Sequence, residues 1–97
     1  MKLRFTAQAT GDLAEIADYI RKESPRGSAR VRASILESLQ LLADFPEIGR
    51  QQTIEGVRKH VARKYGYLIY YSIDAEAGEV AILTIQHPAR ERQFADR

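Results

Sequence analysis

Up to Phe45 the apolar residues recur three and four positions apart; from residue 57 onward they come in short runs that alternate every second position. This one change of period limits the fold more than any other feature, because the first spacing makes a helix face and the second a strand face. In the helical half, Ala9, Leu13, Ile16, Ala17 and Ile20 form one stripe, with Thr6 placed to cap it. Gly11 weakens that helix by about 1 kcal/mol relative to alanine. Asp18 and Lys22, spaced i,i+4 with the acid first, are expected to offset part of the loss. Pro25 stops the helix, since the residue before a proline avoids helical angles. Ser24 and Pro25 then suit the cap and first position of a second helix. Its stripe is Val31, Ile35, Leu39 and Leu42, with Leu36 and Ala43 beside it, and Phe45-Pro46 ends it.

The rest reads as strands. Lys2-Leu3-Arg4-Phe5 alternates polar and apolar ahead of the helices, and residues 46–56 form a loop containing Gly49 and Gly56. Strands are predicted at about 57–62, 67–73 and 79–86, with a hairpin loop from Asp74 to Gly78. Tyr67, Ile69, Tyr71 and Ile73 share one face, and Leu68, Tyr70 and Ser72 the other. Val80 to Leu83 is apolar on both faces, as a central strand is. The tail from His87 to Arg92 is polar, with room for a helical turn. The expected fold is α+β in the order β-α-α-β-β-β, a helical hairpin packed on one face of a mainly antiparallel sheet. The other face is expected to stay open and to receive the basic side chains.

A chain of 97 residues is expected to form one domain, residues 1–97, and to hide about two thirds of its unfolded surface. Cysteine is absent, so disulfides and thiolate metal sites are excluded. The first residues lack a signal peptide's apolar run, and no apolar stretch approaches the roughly 20 residues of a membrane span. The protein therefore reads as soluble and cytoplasmic, with no membrane partner. Its charge is focused: Arg50, Arg58, Lys59, Arg63 and Lys64 against Glu55 give +5 − 1 = +4 in a chain whose net charge is +2. A basic, aromatic sheet surface implies an anionic partner.

Arg58, Lys59, Arg63 and Lys64 are the candidate partner surface; the plainer alternative is a strand edge charged against aggregation. His87, which follows the last strand, could be a general acid or a binding group, or simply end the strand before Pro88. His60, inside a basic strand, reads as structural. Tyr65, Tyr67, Tyr70 and Tyr71 could stack on bases, but Tyr70 and Tyr71 read better as core residues with outward hydroxyls. Asp12, Glu15 and Asp18 read as the wet face of the first helix. The two histidines lack metal-ligand spacing, and no glycine-rich loop or nucleophile beside a histidine is present. Neither metal nor cofactor is expected.

Several stretches, in this order and spacing, resemble the RelE/ParE superfamily of toxins from type II toxin–antitoxin systems. They are residues 12–20, Leu42-Ala43-Asp44-Phe45-Pro46-Glu47-Ile48-Gly49-Arg50, Gly56-Val57-Arg58-Lys59, Tyr67-Leu68-Ile69-Tyr70-Tyr71 and Ile85-Gln86-His87-Pro88-Ala89-Arg90-Glu91-Arg92. Together they span about residues 3–92 and are most similar to the ParE branch. The resemblance implies a toxin neutralised by a cognate, ParD-like antitoxin with an acidic segment that folds on binding. It also implies one of two targets: DNA gyrase for the ParE branch, or ribosome-bound mRNA for the RelE branch, which cuts it. An inactive antitoxin-binding relative is a third possibility.

Carried over one position at a time, the RNase branch's basic strand residues fall near Arg58 and His60. The arginine opening its Arg-Leu-Val-Tyr run falls on Tyr67, and its tyrosine near the C-terminus falls on Asp96. Arg58 fits, His60 is a weaker substitute for a lysine, and the arginine after the last strand is kept at Arg90. With the other two groups lost, a scissile phosphate would lack its paired cations. The resemblance therefore implies a binder with no catalytic residue. Its contacts would be Arg58, Lys59, Arg63, Lys64, Tyr67, His87 and Arg90; in the RNase alternative, Arg58, His87 and Arg90 would do the chemistry.

Overall fold

The computed structural model describes residues 1–88. The chain runs β1 (Lys2–Phe5), α1 (Ala7–Glu23), α2 (Pro25–Asp44), a 3-10 turn (Pro46–Ile48), β2 (Arg50–Gln51), β3 (Arg58–Val61), β4 (Leu68–Asp74) and β5 (Glu79–Gln86). Both helices begin where their caps were expected. Thr6 Oγ1 accepts from Ala9 N–H at 3.1 Å and donates to the Leu83 carbonyl at 2.8 Å, so the start of α1 is tied to β5. Ser24 serves both helices: its N–H closes α1 on Ile20 O at 2.7 Å, and its hydroxyl accepts from Gly27 N–H at 3.0 Å to open α2 behind Pro25.

The five strands lie in the order β1-β5-β4-β3-β2, with β1 parallel to β5 and the other pairs antiparallel. As its apolar run foretold, β5 lies inside the sheet. Ala9, Ile20, Val31, Ile35, Leu39 and Leu42 of the helices meet Tyr67, Ile69, Tyr71, Val80, Ile82 and Ile85 of the sheet in one core. Fully burying one such aliphatic side chain is worth roughly 1.5–3 kcal/mol. Opposite β4, the β5 register jumps from Ile82 (facing Tyr71) to Thr84 (facing Tyr70), which makes Leu83 a bulge. The bulge explains why Val80 and Ile82 face the core and then Ile85, not Thr84, does.

Several expectations are corrected. The loop at 46–56 holds a 3-10 turn and a two-residue edge strand. Asp18 pairs with Arg21 at 3.1 Å, one residue short of Lys22. Leu36 turns outward and is 53% exposed. The far side of the sheet is not simply open, for Leu68, Tyr70 and Ala81, which alternate away from the helices, are buried. Among the described residues no helix is long and apolar enough to cross a membrane.

Candidate functional site

The register of β3 on β4 divides the basic residues. Arg58 lies opposite Tyr71 and His60 opposite Ile69, so both share the helix side; Lys59 opposite Tyr70 and Val61 opposite Leu68 share the far side. The single basic face expected from the sequence is therefore two faces. Arg63 and Lys64 belong to neither. They occupy the turn between β3 and β4, closed by Ala62 N–H to Tyr67 O at 2.8 Å and held to α2 by the Ser34 hydroxyl on Arg63 O at 2.7 Å. Lys64 has φ 72°, in the left-handed region.

Arg58 has an internal task. Its Nη1 donates to Glu47 O at 3.0 Å and to Gly49 O at 2.8 Å. Beside it Tyr71, fully buried, donates its hydroxyl to Pro46 O at 2.6 Å and accepts Gly49 N–H at 2.8 Å. The Tyr71 hydroxyl thus points inward, contrary to expectation, and this pair clamps the 3-10 turn to the sheet. Burial pushes its pKa up, against the opposing pull of Gly49 N–H and Arg58. His60 is half-buried, its Nε2 has no hydrogen-bond partner among the described residues, and burial lowers its pKa.

At the end of β5 the picture is different. A cleft of about 320 Å³ lies between α1 and β5, lined by Asp12, Glu15, Tyr19, Tyr67, Gln86 and His87 among others. Tyr67 and His87, both candidates from the sequence, meet here edge to face with ring centroids 5.6 Å apart. Tyr67 is 5% exposed, and burial first, then the neighbouring Tyr19, raises its pKa. Arg90 lies outside the described residues.

Asp12 was misread as a wet-face residue. It is buried, and its carboxylate accepts from Gln8 Nε2 at 2.8 Å, Thr84 Oγ1 at 2.5 Å and Ile85 N–H at 3.0 Å. It thus supplies an acceptor to backbone beside the β5 bulge, where the ladder is disturbed. A signal was present: Asp12 sits three residues after Ala9 and four before Ile16, within the apolar stripe. Among the described residues no three His, Asp or Glu side chains group as metal ligands.

A second groove, of about 290 Å³, runs between the two helices and is lined chiefly by Leu13, Ile16, Ile20, Val31, Ile35 and Leu36. Leu39 is a core residue, 2% exposed.

Comparison with known proteins gives a consistent result. The family model for the ParE toxin of the type II toxin–antitoxin system parDE matches residues 3–92. A Sinorhizobium fredii protein described as a toxin, Y4kP, is 37% identical over 86 residues, covering 89% of this chain and 86% of its own. Toxin RelE2 of Caulobacter vibrioides is 35% identical over 86 residues, covering 89% and 93%. Among solved structures, the chromosomal ParDE system of P. aeruginosa aligns with a TM-score of 0.75 at 22% identity, over 90% of this chain and 95% of that one. The isolated E. coli RelE toxin aligns with a TM-score of 0.65 at 18% identity, over 98% and 92%.

Proposed function

The chain belongs to the ParE toxin family of type II toxin–antitoxin systems, and from that premise we propose that it arrests growth by binding and inhibiting DNA gyrase, without cutting RNA, until an antitoxin captures it. The observation that carries this reading is Tyr67. The RNase branch's arginine would stand there; in its place is a buried aromatic ring beside the carboxylates of Asp12 and Glu15. Phosphate entering this cleft meets like charge, and the stabilisation of a phosphoryl transition state needs the opposite. Arg58 has one nitrogen committed to two carbonyls. Burial lowers the pKa of His60, which disfavours a cationic imidazole there. What remains suits a protein contact in the cytoplasm, with no cofactor.

Purified gyrase tests this. Supercoiling of a relaxed plasmid should fall as the toxin is added in molar excess and recover with the antitoxin encoded beside it; undiminished supercoiling counts against the reading. The 35% identity to Toxin RelE2 favours a second reading, a ribosome-dependent endoribonuclease using Arg58, His87 and Arg90. Codon-spaced mRNA cuts after induction, abolished by Arg90→Ala, would favour it over the first. An inert relative would leave growth unaffected on induction.

For the antitoxin, the groove between α1 and α2 supports docking of an apolar helix face, and Leu36 at its edge already stands in solvent. Lys59, Arg63 and Lys64 would meet acidic residues of the same segment.

A further inference from the structure

The cleft between α1 and β5 has more hydrogen-bond acceptors than the described residues use. Gln86 spends its Nε2 on Thr84 Oγ1 at 3.3 Å, while its Oε1 is buried with no partner among the described residues. Tyr67, 5% exposed, lines the same cleft with its phenol ring. Glu15 is exposed on the cleft wall and has no ion-pair partner among the described residues. Tyr19, 60% exposed, adds an aromatic wall. Leaving a buried acceptor unpaired costs about 1–3 kcal/mol, so an occupant rich in donors would recover that cost.

We propose that this cleft binds the guanidinium of an arginine supplied by a protein partner. Guanidinium is planar, always charged and carries five donors in a fixed fork, which suits acceptors spread over a carboxylate, an amide oxygen and a phenol. Its flat face also stacks on tyrosine better than an ammonium does. An anion is disfavoured by Glu15 and Asp12. A divalent metal is disfavoured because the Asp12 carboxylate already accepts from three donors and, among the described residues, no three His, Asp or Glu side chains group as ligands. The inference leans on the gyrase reading only for the partner being a protein; the chemistry of the cleft stands without it.

The test is a titration of the full-length, isotope-labelled chain with the peptide acetyl-Gly-Arg-Gly-amide, followed by amide NMR shifts. Saturable shifts should centre on Glu15, Tyr19, Tyr67, Gln86 and His87. The citrulline peptide, neutral and of the same shape, should bind about tenfold more weakly, as the loss of one charge-assisted hydrogen bond predicts. Glu15→Gln should weaken the arginine peptide by a similar factor, and Tyr67→Phe by less, with shifts elsewhere unchanged. No saturable shift at these residues, or equal binding of the citrulline peptide, would overturn the proposal. So would a stronger response of the same amides to inorganic phosphate. If the peptide binds only after Arg90→Gln and Arg92→Gln, the chain's own tail is the occupant and the partner's arginine is excluded.

Discussion

Gly49 has an ordinary extended backbone, φ −70° and ψ 150°, so conformation does not demand glycine there. Space does. A Cβ would fall on the Tyr71 ring, 2.6 Å from Cε1, and Tyr71 is fixed by hydrogen bonds to Gly49 N–H and Pro46 O. Gly49→Ala should therefore destabilise the fold by about 1–3 kcal/mol through overpacking. For a chain of this size that is a Tm loss on the order of 10 °C by calorimetry. An unchanged Tm would mean that the tyrosine clamp is not rigid. At the same scale, His60 should give the protein a pH-dependent stability. Its folded pKa lies below the ordinary value of about 6.5 because burial penalises the charged form. The unfolded chain then binds the proton first. The contribution of His60 is present above about pH 6.5 and is lost as pH falls through the unfolded and then the folded pKa. Tm measured at pH 7.5 and at pH 5.5 should drop less in His60→Gln than in wild type; equal drops would remove His60 from the pH response.

At the scale of elements, α1 carries Gly11 on an exposed face, with nothing within 4 Å of where a Cβ would stand. Gly11→Ala should stabilise the protein by about 1 kcal/mol, read from denaturant midpoints at constant m. A destabilised variant would show that the space beside Gly11 is occupied. Helix boundaries were legible in the sequence because their determinants are local: Ser24 and Pro25 write a stop and a start within two residues. The sheet was legible in content but less so in orientation. The expectation of one basic face fails because Arg58 pairs with Tyr71 and Lys59 with Tyr70, on opposite faces of the sheet. The Leu83 bulge and the burial of Asp12 share a similar cause, since Asp12 finds its acceptor role on Thr84 and Ile85, some seventy positions away.

At the scale of the whole molecule, the net charge of +2 conceals surfaces of unlike character: Lys59 on the far face of the sheet, the separate Arg63–Lys64 turn, and an acceptor-rich cleft beside Tyr67. Charges at an interface rim act mainly on encounter rate, while buried apolar anchors set dissociation. Lys59→Glu with Arg63→Glu should slow association with the adjacent antitoxin and weaken its salt dependence, measured by surface-plasmon kinetics. Arg58 is left intact because its bonds to Glu47 O and Gly49 O serve the fold. Unchanged association rates and salt slopes would separate these cations from the antitoxin contact. The central claim, a toxin that acts on gyrase rather than on RNA, is tested most directly in cells induced without the antitoxin, by the superhelicity of a reporter plasmid. The account predicts that the plasmid relaxes as growth stops, while its transcripts stay intact by primer extension. A plasmid that keeps its supercoiling through growth arrest, with transcripts cut at codon spacing, would contradict it.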